Sequence, residues 1–131
     1  MKVAKIIDRT LRVLRVLDAS EAAEGEDAAT AIQALNALCT RWEASGLAMG
    51  WVNVASPADD LPAPDEAENA IVYNLALDIA PEYGVRPDEA TVEAASRYLM
   101  ALRRDRMASN LLRSSPALPL STARYGAGLA W

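Results

Sequence analysis

Residues 64–113 read PDEAENAIVYNLALDIAPEYGVRPDEATVEAASRYLMALRRDRMASNLLR, and the fold turns on this stretch. Ile71, Leu75, Ile79 and Tyr83 recur every four residues; Val92, Ala95, Leu99 and Leu102 recur every three or four. That spacing lines apolar side chains along one face of a helix. Each half opens with the same tetrapeptide, Pro-Asp-Glu-Ala, at 64–67 and 87–90. Proline at the first helical position gives up no hydrogen bond, and the two acids oppose the positive end of the helix dipole. The repeat is shared start chemistry, not a duplicated domain. Only Pro81-Glu82-Tyr83-Gly84-Val85-Arg86 separates the halves. The spacing therefore predicts helices over 64–83 and 87–113, packed as an antiparallel hairpin. Asn74 and Asp78 lie one turn apart beside the stripe and either bond across a helix interface or edge it.

Upstream, residues 26–45 read as a helix with Ile32, Leu35, Cys39 and Trp42 on its buried stripe. Glu26 and Asp27 suit its N-terminus, and Gly46 suits a left-handed cap at its end. This helix is expected to cover the hairpin. Residues 2–18 read as a further amphipathic helix. Val3, Ile7, Leu11 and Leu14 form its apolar stripe, widened by Ile6, Val13 and Leu17. Lys2, Lys5, Arg9 and Arg12 share the opposite face. Residues 18–25 are a linker with Gly25 as a breaker.

Residues 47–63 change character. Leu47 to Val54 is short, apolar and partly β-branched, so it reads as an extended strand or half of a hairpin. Pro57, Pro62 and Pro64 then forbid a regular element, which leaves a projecting loop or the turn of a ribbon. Beyond Arg113 the helical period stops. Residues 114–131 hold Pro116, Pro119, Gly126 and Gly128, yet also Leu118, Leu120, Tyr125, Leu129 and Trp131. A solvated tail carries fewer large apolar groups, so this segment reads as an arm that binds a partner or its own body.

Composition narrows the function. The chain of 131 residues is one domain by length, 52% hydrophobic and 24% charged. It has no histidine and a single cysteine. Histidine-dependent nucleophiles, histidine bases, Cys-rich zinc sites and internal disulfides are thereby excluded. Cys39 falls on an apolar stripe and reads as a core thiol. No phosphate-cradling glycine loop or calcium loop occurs, and no cofactor is expected. No apolar run approaches a membrane span. The first apolar stretch, Val3 to Leu17, is broken by Lys5, Asp8, Arg9, Arg12 and Arg15, unlike the apolar core of a secretory signal, so export by that route is not expected. Most acid clusters sit at expected helix starts, where the dipole explains them. Glu43, next to Trp42, is the one carboxylate to test for a carboxylate-dependent cell-wall hydrolase, because an apolar neighbour raises an acid's pKa.

The net charge of −5 is segregated. Residues 1–15 carry +4, residues 16–96 carry −14 and residues 97–131 carry +5. Unlike patches suit head-to-tail contacts between copies, or pair within one molecule. Arg103-Arg104-Asp105-Arg106 is a short basic cluster on a helix, but so acidic a chain is a poor autonomous DNA binder.

Three features in order carry a family resemblance: the opening amphipathic helix, the Trp42-Glu43-Ala44-Ser45-Gly46-Leu47 helix end, and the block Ala70-Ile71-Val72-Tyr73-Asn74-Leu75-Ala76-Leu77-Asp78-Ile79-Ala80-Pro81-Glu82-Tyr83-Gly84 before a long helix. Over residues 1–113 the chain resembles bacteriophage head-to-tail adaptors, specifically the short-tailed-phage tail accessory or head-completion factors. The resemblance implies an all-α, four-helix bundle-like domain over 1–113 and a C-terminal arm over 114–131. It implies a ring of copies, twelvefold to match the portal, which binds the portal protein after DNA packaging, seals the head and receives downstream tail proteins. Its place would be the head–tail junction of the virion, near packaged DNA and away from membranes, after synthesis in the host bacterial cytoplasm. No catalytic residues transfer with it. Portal and subunit contacts are expected from Leu118, Leu120, Tyr125, Leu129 and Trp131. Electrostatic contacts are expected from Lys5, Arg9, Arg12, Arg103, Arg104 and Arg106. Besides the hydrolase, a monomeric helical regulator is the competing reading.

Overall fold

A computed structural model describes residues 1–18 and 21–114, and among these the regular structure is helical. Four α-helices follow one another: α1 (Val3–Val13), α2 (Gly25–Ala44), α3 (Glu68–Ile79) and α4 (Glu89–Ser114). Short 3-10 turns lead into α3 and out of it, at Asp65–Ala67 and Ala80–Tyr83. The expected all-α fold is therefore observed, with no strand among the described residues.

The most apolar helix, α3, sits in the middle and packs against α1, α2 and α4. Its Ile71, Val72, Leu75, Ala76 and Ile79 are all buried. Around them lie Val3, Ile6, Ile7 and Leu11 of α1, then Ile32, Leu35, Cys39 and Trp42 of α2. The stripes read from spacing in these three helices are thus the core stripes. In α4 the match is partial. Ala95 and Leu102 are buried and Leu99 packs partly buried against the core, but Val92, in the first turn of the helix, is 48% exposed.

The α3–α4 pair runs antiparallel. Tyr73 stacks on Tyr98, Asn74 donates to the Ala95 carbonyl, and Glu66 pairs with Arg106, so rising numbers on one side meet falling numbers on the other. Asn74 therefore bonds across the interface, and Asp78 does so toward α2 by accepting Arg41 at 2.8 Å.

Helix ends account for the differences from the spacing. Helix α1 stops at Val13, short of the expected residue 18, where Arg15 takes a left-handed φ of 61°. The Val16 amide then reaches back to the Leu11 carbonyl and the Arg15 amide to Arg12. This is a Schellman closure. The same pair of bonds ends α2 at Gly46, with buried Leu47 and Trp42 as its apolar contact, and recurs at Gly84. Glycine fills the left-handed position at two of the three ends, and arginine bears the strain at the third. Arg15→Gly should accordingly stabilise the fold by about 0.5–1 kcal/mol, read as a higher urea midpoint. A lower midpoint would show that the Arg15 side chain contributes more than its backbone costs.

Helix α4 also starts differently from expectation. Pro87 is not its first residue. Asp88 caps it, accepting the Thr91 amide at 3.0 Å and the Thr91 hydroxyl at 2.7 Å. Those two donors hold the Asp88 carboxyl below its usual range.

Residues 47–63 form a loop, not a hairpin, and they lie against the helices more than they project. Leu47, Met49 and Val54 are buried. The Asn36 side chain on α2 pairs with both backbone groups of Val54, at 2.8 and 2.9 Å, as a neighbouring strand would. Helix α1 has no side-chain cap. Its first amides, Val3 and Ala4, instead donate to the carbonyls of Asp59 and Pro57. The loop is thus the N-terminal cap of α1, and the Lys2–Asp60 ion pair at 2.9 Å reinforces the seam.

Candidate interaction interface

The expected site residues divide into three groups. Leu118, Leu120, Tyr125, Leu129 and Trp131 lie outside the described residues. Arg9, Arg12 and Arg106 are engaged within the domain. Arg9 pairs with Glu68 at 2.6 Å and holds Asn69, which ties α1 to α3. Arg12 donates to the Glu21 carbonyl and so anchors the α1–α2 connection. Arg106, with its side chain only 13% exposed, pairs with Glu66 and donates to the Ala48 carbonyl. It fixes the turn after α2 onto α4. The third group, Lys5, Arg103 and Arg104, stands exposed. Three of the four cations on the basic face of α1, Lys2, Arg9 and Arg12, are therefore engaged within the domain, and the exposed arginines Arg103 and Arg104 lie on α4.

That charge borders an apolar surface which the spacing did not single out. Met100 and Met107 are 67% and 65% exposed, and Leu111 continues their row one turn further on. Beside Met107 and Leu111 a groove of about 400 Å³ opens between α4 and the end of α2. Gly46 and Leu47 form one wall, and Arg103 and Arg106 form the polar rim. The signal was present in the sequence as Met100, Met107 and Leu111, seven and four residues apart. Leu99 and Leu102 belong to the stripe of the same helix that the spacing turns inward, and the methionine row lies outside that stripe.

The chemistry of the remaining candidates is structural. Glu43 accepts the Met49 amide and so holds the loop that follows α2. Cys39 is fully buried, and burial, with the Glu43 charge as a smaller cause, pushes its thiol up to about 12. A thiol so disposed is neutral and shielded. Among the described residues no group of three or more acidic or cysteine side chains could hold a metal ion. No described helix is long and apolar enough to cross a membrane.

Tyr83 gives the domain an alkaline limit. Its hydroxyl donates to Asp27 at 2.8 Å, linking the end of α3 to α2. Burial first, then the Asp27 carboxylate, raise its pKa from 10.0 to about 12. Folding therefore favours the neutral phenol. That contribution is complete below pH 10 and is lost as the pH rises from 10 toward 12. Tyr83→Phe should lower stability at neutral pH by about 1 kcal/mol and flatten the loss above pH 10. Urea midpoints across that range are the measure; an unchanged slope in the variant would assign the loss to other groups.

A family model described as the P22 tail accessory factor matches residues 5–127. No curated protein matches the sequence. The matched range contains α2, α3 and α4 whole, nearly all of α1, and most of the residues beyond α4.

Proposed function

Because the chain belongs to the P22 tail accessory factor family, and with it to the phage structural proteins, we propose that it is a head-to-tail adaptor subunit. In this reading it binds the portal after DNA packaging, closes the head and offers the platform on which the tail assembles. It acts at the head–tail junction of the virion after synthesis in the host cytoplasm, as one of a closed ring of copies. The family match over residues 5–127 is the observation that carries the reading. Two physical features support it. The exposed Met100–Met107 surface of α4 with its flanking arginines is of the kind that marks protein contacts. The segregated charge, −14 over 16–96 against +4 and +5 at the ends, favours contacts between unlike patches.

A ring needs a heterologous contact that closes on itself. Weak association of free subunits, strengthened on a portal template, keeps rings from forming elsewhere. Electron microscopy of the protein mixed with its portal is the direct test, and extra density with the portal's symmetry at its exit is the expected image. A portal left bare at saturating protein would sink the proposal.

The role needs no catalysis. Purified protein is expected to release no soluble saccharide from peptidoglycan, and Glu43→Gln is expected to matter for the loop after α2 alone. Saccharide release that disappears in that variant would establish the hydrolase reading instead.

A further inference from the structure

Two surfaces of the domain carry charge that the domain itself does not neutralise. On α4, Arg103 and Arg104 have no ion pair among the described residues, and they stand between the exposed Met100 and Met107. At the entry to α2, Glu24 and Glu26 are exposed and likewise without an ion pair among the described residues, next to exposed Ala22 and Ala29. One patch offers cations around bulky, adaptable apolar side chains, and the other offers carboxylates around small ones. Methionines fit the shallow relief that alanines leave on a helix.

The positions of the two patches decide how they can meet. The α4 patch borders the groove at Gly46 and Leu47, just beyond the C-terminal end of α2. The acidic patch is at the N-terminal end of the same helix, which has 20 residues. At 1.5 Å per residue the patches are about 30 Å apart, too far for an ion pair within one molecule. The shortest route to neutralising both is between copies, with the α4 patch of one on the α2 entry of the next. After one such contact one copy keeps a free acidic patch and the other a free basic patch, which is the heterologous arrangement that repeats and closes into a ring.

We propose that Met100, Arg103, Arg104 and Met107 of one copy dock on Glu24, Glu26 and Ala29 of a second copy, as the lateral contact of the ring. This rests on the ring reading above and assigns its surfaces. Reciprocal charge reversal tests it in the full-length protein. Arg103→Glu with Arg104→Glu sets acid against acid, and Glu24→Lys with Glu26→Lys sets base against base. Each variant alone is expected to associate at least about tenfold more weakly than wild type in low-salt sedimentation and to fail to close a ring on portal. The two variants mixed in equal amounts are expected to regain wild-type association, because every contact then has one acidic and one basic side. Should reversal at the helix start lower the helical content, Ala29→Arg, which leaves both acids in place, is expected to weaken association in the same way.

Variants that associate as wild type does, or a mixture without recovery, would overturn the surface assignment and leave the ring standing. Wild type that is monomeric both free and on portal would overturn the ring itself. Loss of duplex DNA retention in the arginine variant, with association untouched, would give the α4 patch to nucleic acid and also overturn the proposal.

Discussion

Removal of residues 115–131 should leave the helical content and melting temperature of the domain nearly unchanged while abolishing its attachment to portal. The cut follows Ser114, the last residue of α4. Among the described residues the last buried core side chain is Leu102, well before it. The described core around α3 is built from residues upstream of the cut, and the removed segment is expected to act in binding alone. Its composition gives the reason. Pro116 and Pro119 restrict the chain and reduce the entropy lost on ordering. Leu118 and Leu120, two apart, would present to one side of an extended segment. Tyr125 and Trp131 are of the residue types that dominate binding hot spots. Circular dichroism and co-sedimentation with portal are the measurements. A truncated chain that binds portal as tightly as the whole would show that the anchor lies elsewhere, and one that fails to fold would place the segment in the core.

The largest loss of stability from a single substitution is expected at Leu75. It is 0% exposed in the middle of α3, the helix against which the other three pack. Truncation to alanine removes buried apolar surface and leaves a cavity that three neighbours cannot all collapse into. Leu75→Ala should cost about 3–5 kcal/mol, a large part of the stability of a domain this size. Val92→Ala on α4 is the control. Val92 was grouped with the core by spacing but is 48% exposed, and its truncation should cost about 0.5 kcal/mol or less. Urea midpoints for the two variants give the comparison. Equal losses would mean that Leu75 is not at the centre of the packing.

The interaction surface was legible only in part. The cations of α1 and α4 were visible as a pattern, but their employment was not. Arg9, Arg12 and Arg106 look like Lys5, Arg103 and Arg104 in a helical projection. They differ because Glu68, Glu21 and Glu66 come within reach when α3, the α1–α2 connection and the turn before α3 fold onto them. Those partners lie up to 59 residues away along the chain.

The sequence alone determined the helices and most of the core. Ile71, Leu75 and Ile79, Ile32, Leu35 and Cys39, and Val3, Ile7 and Leu11 recur at the helical period, and burying those rows is what drives the chain to fold. It also determined Gly46 as a helix stop, because a left-handed backbone favours the residue without a Cβ. The tertiary structure decided what depends on contacts between distant segments. It left Met100 and Met107 exposed on α4, beside the Leu102 stripe that the spacing had turned inward. It ended α1 at Arg15, which has no residue signal for that role. And it folded residues 47–63 onto the start of α1, where the carbonyls of Pro57 and Asp59 meet amides left without partners by the helix, a pairing of backbone groups to which no side-chain pattern corresponds.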